Sequence, residues 1–451
     1  MNKSILENFN WYEPTEQVIT LKEFDRKTVC EDLGDIYWEL SNYPRDSHLL
    51  QVEEHIINGK RNLTFYAGSN IGMEKTGPFT VFVSPKIKEA DFLTMANYAY
   101  GFNIDLEKES ALVDQQPRNI SAIFIKYFLI QLQDFLNHEL KRSFIKKEEH
   151  LQSKAKGKIM LSDYLKYNVT RKKDTIVPCQ FFEIQVDCLE NQIIRYATEI
   201  VMKVIPQLVF SDPFRIELIG LCKRLLQRME MISFTKISPG DFNRIRYTGR
   251  FRNYRHIHEL CQLMLQAAKI QMKAGQHSFQ GFIIDMNIIF EKFVIGVLKK
   301  EAGLKVIPQK TSKFLIGNNT KTIRVDGWLN HEKLVFDTKY KEAFEVYQEN
   351  EVTVLGPVKV LNADLYQILA YCNHHFFKNS TGVLIYPTSS EKKGASNHYS
   401  VKGFNQSIYI ISFNINFKQS RKPREISDFV STFLEVTRGN PPGQNTLSCT
   451  T

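Results

Sequence analysis

The spacing of apolar residues changes twice along this chain, and that change limits the possible folds more than any other feature. Up to about residue 90, short aromatic and β-branched runs such as "NLTFYAGSN" and "PFTVFVSPKI" are bounded by Gly, Pro and Asn, as is typical of strands. Most of residues 118–275 has apolar residues at helical spacing. The last third mixes both patterns. We therefore expect an α+β protein of several domains.

The last third predicts a compact α/β unit, because helices and strands alternate there. Its helical stretches are "IIDMNIIFEKFVIGVLKK" and "ADLYQILAYCNHH", and its strands include "TGVLIYP" and "SIYIISFNINF". The middle region is also basic, with eleven Lys and Arg against three Asp and Glu in residues 141–173. The predicted parts are a β-rich N-terminal domain at 1–117, a helical, basic middle region at 118–275, an α/β domain at 276–435 and a disordered tail at 436–451.

Composition narrows the class of protein. The 451 residues include 59 Lys and Arg against 49 Asp and Glu, a formal charge of +10 that suits a polyanionic partner. The seven cysteines are scattered and never form a CxxC pair, which argues against a zinc ribbon or a disulfide framework. We find no signal peptide and no apolar stretch long enough to span a bilayer. The expected location is the cytoplasm, with no membrane partner.

Two acids and a lysine stand out in "RVDGWLNHEKLVFDTKYK", residues 324–341. Residues two apart on a strand point the same way, so Asp337 and Lys339 should share a face. The polar break "NHEK" can turn the chain back and bring Asp326 alongside. Two carboxylates of this kind suit Mg²⁺, which can polarise a phosphodiester and activate a bound water. The alternative is a salt-bridged hairpin end.

A downstream helix carries polar residues on one face. Asp364, Gln367 and Tyr371 stand at i, i+3 and i+7 and could help position a phosphate backbone or Lys339. The alternative is a partly exposed helix edge. On the upstream helix, Glu291 lies beside an apolar stripe and is a further candidate ligand, with an ordinary surface glutamate as the alternative.

Five arginines form a cluster with no acid among them. They are interleaved with aromatic residues and comprise Arg244, Arg246, Arg250, Arg252 and Arg255. Guanidinium groups bind phosphates in bidentate fashion, so the cluster predicts DNA contact. A solvated turn before a helix is the alternative. The chain has no GxxxxGK[ST] phosphate loop, so any nucleotide-driven motor must be another polypeptide.

In chain order, Glu291, Asp326, Asp337-Thr338-Lys339 and Gln367-x-x-x-Tyr371 resemble the core of a PD-(D/E)xK nuclease. More closely, "IIDMNIIFEKFV", "DGWL…LVFDTKYK" and "ADLYQILAYC" resemble the McrC family, the nuclease subunits of McrBC-type 5-methylcytosine-dependent restriction systems. Weaker similarity extends upstream through "PCQFFEIQVDCLENQIIRYA". Val325 stands where the motif usually has proline, which is not a metal ligand.

The resemblance implies a restriction-endonuclease-like C-terminal domain that cuts DNA. Its catalytic residues would be Asp326, Asp337, Lys339, Gln367 and Tyr371. Its Mg²⁺ site, with Mn²⁺ as an alternative ion, would be formed by Asp326, Asp337, Thr338 and Glu291.

The resemblance also implies partners. They are DNA, expected to be methylated, and an McrB-like AAA+ GTPase hexamer that binds the GTP and docks on the N-terminal part of this chain. Two alternatives remain open from the residues themselves. One is a stand-alone repair or recombination nuclease of the same fold, and the other is a non-enzymatic assembly factor.

Overall fold

A computed structural model describes most of the chain. The described residues are 9–11, 17–30, 32, 35–41, 47–76, 79–87, 89–102, 120–138, 140–169, 175–208, 212–273, 276–315, 320–341, 343–349, 352–357, 360–388, 396–401, 406–417 and 423–438. They form two compact units, one made of residues 1–121 together with 270–451 and the other of residues 122–269. Residues 1–117 and 276–435, which the sequence suggests as separate domains, thus lie in one unit.

The N-terminal segment of the first unit is mostly strand, as predicted. Its strands are β1 (Phe9–Trp11), β2 (Gln17–Lys22), β3 (Arg26–Cys30), β4 (Leu50–Ile57), β5 (Lys60–Ala67), β6 (Asn70–Thr76) and β7 (Phe79–Ser84). Two helices, α1 (Asp35–Ser41) and α2 (Glu89–Tyr100), accompany them. Strands β3, β5 and β4 form one small antiparallel sheet.

The second unit contains both helices and a sheet. Its helices are α3 (Ile120–Leu136), which begins at the boundary, α4 (Leu161–Tyr164), α5 (Leu189–Val204), α6 (Asp212–Arg228), α7 (Pro239–Asn243) and α8 (Tyr254–Ala267). Its strands are β8 (Ser143–Gln152), β9 (Lys158–Ile159) and β10 (Ile176–Gln185), in the order β8-β10-β9. The prediction that helices dominate this region is therefore incomplete, because strands β8 and β10 pair with each other over ten residues each.

The C-terminal segment returns to the first unit. Its strands are β11 (Ala268–Lys273), β12 (Gln276–Asp285), β13 (Ile307–Leu315), β14 (Lys321–Leu329), β15 (Leu334–Thr338), β16 (Phe344–Glu349), β17 (Val352–Pro357), β18 (Thr381–Thr388), β19 (Ser396–Ser400) and β20 (Ser407–Asn414). Its helices are α9 (Met286–Lys300), α10 (Asn362–Asn373) and α11 (Arg424–Thr437).

Strands from the N-terminal segment and from the start of the C-terminal segment share a six-stranded sheet, in the order β1-β2-β7-β6-β12-β11. Strand β12 joins β6 in antiparallel register, with Ile283 opposite Gly72. The sequence predicted a helix from Ile283, but the structure keeps β12 extended to Asp285, whose side chain then caps α9 by accepting from the Asn287 amide. This pairing makes the first unit discontinuous in sequence.

A second six-stranded sheet, in the order β13-β14-β15-β18-β20-β19, carries the predicted α/β region. Strands β15, β18 and β20 are parallel and almost wholly buried. Helix α10 covers one face through Ile368 and Cys372. On the other face Phe429 of α11 stacks on Phe413, with ring centroids 3.9 Å apart. Helix α11 was not predicted, and it runs into the first residues of the predicted disordered tail; residues 439–451 lie outside the described part.

Candidate active site

The hairpin that carries the two acids forms as predicted. Strands β14 and β15 pair antiparallel, with Gly327 opposite Phe336, and the chain reverses between them at a residue of positive φ, Lys333. Gly327 is needed because a Cβ atom there would lie 2.0 Å from the ring of Phe336. The close fit fixes the register of the hairpin, and therefore the position of Asp337 relative to Asp326.

Asp337 and Lys339 share a face, as predicted. Asp337 is only 2% exposed, and its Oδ2 lies 2.7 Å from Nζ of Lys339. The ammonium also donates to Oε1 of Gln367 on α10, at 2.8 Å. Nε2 of Gln367 in turn donates to the phenol oxygen of Tyr371, at 2.5 Å. Four of the five predicted catalytic residues thus form one connected chain between β15 and α10.

The fifth, Asp326, is tied to the same strand end. Its Oδ2 accepts from both the backbone amide and the hydroxyl of Thr338, each at 2.8 Å. Because both donors belong to one residue, they fix the orientation of the carboxylate of Asp326 next to Asp337. The structure therefore assigns Thr338 a role that the sequence did not predict, as a hydrogen-bond donor that positions an acid.

Electrostatics in the cluster favour proton or metal binding. Burial, reinforced by the charge of Asp326, raises the pKa of Asp337 to about 6. Burial alone would lower the pKa of Lys339, but the nearby carboxylates of Asp337, Asp326 and Asp364 outweigh it and raise that pKa. Oδ2 of Asp337 has Lys339 at ion-pair distance but no donor aligned for a hydrogen bond among the described residues. A buried carboxylate oxygen in this state suits a cation.

Glu291 lies on α9 and belongs to the same electrostatic neighbourhood. It is half-buried and accepts a 3.1 Å hydrogen bond from Nε2 of Gln309. Burial, followed by the charge of Asp326, raises the pKa of Glu291 to about 7. The carboxylate is thus close enough to Asp326 for their charges to interact, unlike an ordinary surface glutamate.

The donor set fits a small hard cation better than a transition metal. Within the described ranges, no three His, Cys, Asp or Glu side chains are grouped closely enough to hold a metal ion by themselves. Mg²⁺ needs no such cage, because it is commonly held by one or two carboxylates together with waters and substrate phosphates. Asp326 and Asp337 fit that pattern, with Glu291 and Thr338 beside them.

A second lysine and its partners extend the cluster. Nζ of Lys341 lies 2.6 Å from Oδ2 of Asp364, and the same oxygen accepts a 2.7 Å hydrogen bond from the phenol of Tyr386. The sequence indicated Asp364 on the polar face of its helix but gave no role to Lys341 or Tyr386. The alternation Asp337, Lys339, Lys341 was the available signal for Lys341.

The arginine cluster lies in the second unit, between α7 and the start of α8. Arg246 and Arg252 are exposed. Arg244 pairs with Asp241 at 3.1 Å, and the guanidinium of Arg255 lies 5.3 Å from the ring centre of Tyr247. The side chain of Arg250 lies outside the described part of the chain. Residues 244–255 contain no acid, but Asp241, just before them, pairs with Arg244.

A buried histidine anchors this segment. Nε2 of His258 lies 2.9 Å from the carbonyl of Glu190, and Nδ1 lies 3.1 Å from the phenol oxygen of Tyr247. Burial lowers the pKa of His258 to about 4, so the ring is neutral at pH 7. A neutral ring that donates from Nε2 must accept at Nδ1, which orients the hydroxyl of Tyr247. The arginines are therefore carried by a defined surface rather than by an unstructured turn.

Two solved structures show partial similarity to this chain. The chain is similar to one in a refined half-complex from a tetradecameric assembly of Thermococcus gammatolerans McrB AAA+ hexamers with bound McrC, at 16% identity and a TM-score of 0.49, over 93% of this chain and 100% of that one. A chain of the Thermococcus gammatolerans McrBC complex is 18% identical with a TM-score of 0.39, over 63% of this chain and 88% of that one. No curated protein matches the sequence.

A family model gives the assignment. Residues 66–387, well over half of the chain, match the model described as McrBC 5-methylcytosine restriction system component. The matched range includes α9, β14, β15 and α10, and therefore every residue of the cluster around Asp337. No described helix is long and apolar enough to cross a membrane. The chain belongs to the family of McrBC 5-methylcytosine restriction system components.

Proposed function

We propose that this chain is the nuclease subunit of a restriction system, the McrC component, and that it hydrolyses DNA phosphodiesters at a Mg²⁺-dependent PD-(D/E)xK site. One observation carries the proposal. The ammonium of Lys339 is held between Oδ2 of the buried Asp337, at 2.7 Å, and Oε1 of Gln367, at 2.8 Å. A merely structural ion pair would not require the additional anchor on a facing helix.

Asp326 and Asp337 would hold the ion, with Glu291 and Thr338 as the neighbouring positions. The carboxylate of Asp337 is buried, with Lys339 at ion-pair distance from its Oδ2, and Thr338 fixes Asp326 beside it. When bound, Mg²⁺, or Mn²⁺ in its place, would polarise the phosphodiester and lower the pKa of a coordinated water. The chain itself supplies the positions of the ligands and excludes bulk water from Asp337.

Lys339 would act on the attacking water and on the phosphate. Its raised pKa keeps it an ammonium at neutral pH, so it donates hydrogen bonds and does not act as a base. Gln367 fixes where those donors point, and Tyr371 fixes Gln367. The ammonium can thus orient the water and stabilise negative charge that develops on the phosphate.

The test of this site is loss of cutting without loss of fold. Asp326→Ala and Asp337→Ala should each abolish Mg²⁺-dependent cleavage of duplex DNA by the assembled system, while circular dichroism and partner binding stay close to those of the wild type. Glu435→Gln, at an exposed position of α11, is the matched control and should cut normally. Unchanged cleavage by the Asp326→Ala, Asp337→Ala double variant would exclude the site.

A partner would supply specificity and energy. The sequence has no phosphate loop, and its family is described as a component of a 5-methylcytosine restriction system. We therefore propose that an McrB-like AAA+ GTPase hexamer binds GTP, docks on the N-terminal part of this chain and delivers methylated DNA. In return, this chain would stimulate GTP hydrolysis.

Reconstitution tests the partner. The purified chain with Mg²⁺ should leave methylated DNA largely uncut until the GTPase and GTP are added. Adding the chain should raise GTP turnover, and this stimulation should survive Asp337→Ala because the acid lies at the nuclease site. Efficient cutting by the chain alone, with no effect of the GTPase, would instead favour a stand-alone repair nuclease.

A further inference from the structure

The chain after β15 alternates between two sides. Tyr340 is buried, and its phenol donates to Oε1 of Glu23 at 2.6 Å. Lys339 and Lys341, on either side of it, both reach α10 instead. The backbone amide of Lys341 donates to the carbonyl of Lys339 at 2.9 Å, which holds the two lysines in a tight local turn. Two ammonium groups are therefore presented next to the same helix.

Their anchors lie one helical turn apart. Lys339 is bound by Gln367 and Lys341 by Asp364, which are separated by three residues on α10 and so share a face. Lysines two residues apart in this turn thus match anchors three residues apart on a helix. Lys341 and Asp364 thus form a second contact between a lysine and α10, beside the contact of Lys339 with Gln367.

Lys341 is more exposed than Asp364, and this difference in burial points to a ligand. The side chain of Asp364 is 8% exposed, whereas that of Lys341 is 32% exposed. Oδ2 of Asp364 is fixed from the protein interior by Tyr386, which is fully buried. An ammonium has three donors, and among the described residues only Asp364 is an ion-pair partner of Lys341. The remaining donors on the exposed side can reach an anion.

We propose that Lys341 is a second phosphate-binding lysine of this site, which contacts a DNA phosphate next to the one that is cut, and that Asp364 and Tyr386 are its positioning residues. This inference rests on the proposed nuclease function. It assigns a DNA contact to a residue outside the metal ligands and outside the Asp337–Lys339 pair. A flexible lysine would lose rotamer freedom on binding, and Asp364 removes part of that cost beforehand.

Binding of duplex DNA by the full chain, in Ca²⁺ in place of Mg²⁺ and over a series of salt concentrations, tests the assignment. Lys341→Met should weaken binding at low salt and reduce the slope of log K against log salt by about one, the value for one phosphate contact. Lys341→Arg should retain the slope. Lys321→Met removes an exposed lysine of the same sheet and serves as the matched control, with an unchanged slope.

A second variant separates binding from folding. Lys341→Met leaves the buried Asp364 without its cation, so Lys341→Met combined with Asp364→Asn removes both charges and should restore thermal stability. The double variant should still show the reduced slope. A wild-type slope in either variant, or an equal reduction with Lys321→Met, would overturn the assignment.

Asp364→Asn alone distinguishes positioning from simple charge. Removing a negative charge near DNA should strengthen binding if Asp364 only repels phosphates. If it positions Lys341, Asp364→Asn should weaken binding or raise KM for DNA, while the thermal shift produced by Mg²⁺ stays as in the wild type. Stronger binding would refute the positioning role. If the wild-type chain binds no DNA and, when assembled with the GTPase and GTP, shows no Mg²⁺-dependent cleavage, the proposed function fails rather than this inference alone.

Discussion

The phenol of Tyr340 donates a 2.6 Å hydrogen bond to Oε1 of Glu23, a residue that follows β2 near the start of the chain. Glu23 is only 1% exposed, and the same oxygen accepts from the amide of Lys86 at 3.0 Å. Tyr340 stands between Lys339 and Lys341. The segment that carries both lysines is therefore attached to the N-terminal sheet by a buried hydrogen bond.

Tyr340→Phe should destabilise the first unit. Loss of a buried hydrogen bond costs about 0.5–1.5 kcal/mol in unfolding free energy, which urea denaturation would measure. Cleavage should fall as well, because Lys339 loses a support of its backbone. Tyr399→Phe, at a largely exposed position on β19, is the control and should leave both unchanged. Equal stability of Tyr340→Phe and wild type would show that the bond contributes nothing net.

The raised pKa of Asp337 predicts how stability depends on pH in EDTA. The folded state binds the proton more tightly than the unfolded chain, so this contribution to stability is full below pH 4 and is lost as pH rises through about 6. Wild type should therefore lose on the order of 2 kcal/mol relative to Asp337→Asn between pH 4 and pH 8. Thermal denaturation at several pH values gives the comparison. Parallel curves for the two proteins would refute the assignment of the shift to Asp337.

Substitutions of Gln367 and Tyr371 should reduce the rate of cleavage to different degrees. Gln367→Ala removes the acceptor that orients the ammonium of Lys339, and we expect cleavage to fall by roughly 10–100-fold, since small misplacements of reacting groups have such effects. Tyr371→Phe removes only the support of Gln367, so a smaller loss is expected. Single-turnover rates with saturating DNA measure both. A larger loss for Tyr371→Phe would reverse the proposed order of dependence.

The arginine cluster should contribute to DNA binding through Arg246 and Arg252, which are exposed. Arg246→Ala combined with Arg252→Ala should lower the slope of log K against log salt by about two, or about one for each phosphate contact. Arg244→Ala, whose guanidinium already pairs with Asp241, is the matched control and should have a smaller effect. An unaltered slope in the double variant would make the cluster structural.

Local features of the candidate site could be predicted from the sequence. The hairpin of β14 and β15 was predictable because its alternation and its polar break are encoded within eighteen consecutive residues. The pairing of Lys339 with Asp337 follows from the same two-residue period. The face of α10 that carries Gln367 and Tyr371 follows from helical spacing.

Long-range contacts were not readable in this way. Ile283 and Ile284 were predicted to be helical, because a short apolar run fits a helix and a strand equally well. Only their pairing with β6 shows that they belong to a strand. Strand β8 has few apolar residues in its alternation and lies in the region predicted to be helical and basic, yet β10 pairs with it throughout. Two further contacts join residues that are distant in the sequence, namely Lys341 with Asp364 and Tyr340 with Glu23. No local sequence pattern could have predicted them.

The discontinuity of the first unit also sets the order in which the site can form during synthesis. As the chain leaves the ribosome, β6 has no β12 to pair with until all of residues 122–269 have emerged. Tyr340, the hydrogen-bond partner of Glu23, is synthesised 317 residues after it. Strand β15 cannot pair with β18 before α10, which lies between them in the sequence, has been made. A nascent chain therefore carries the acids of the hairpin without the lysine anchors on α10. The proposed cutting site therefore cannot form before α10 has been made.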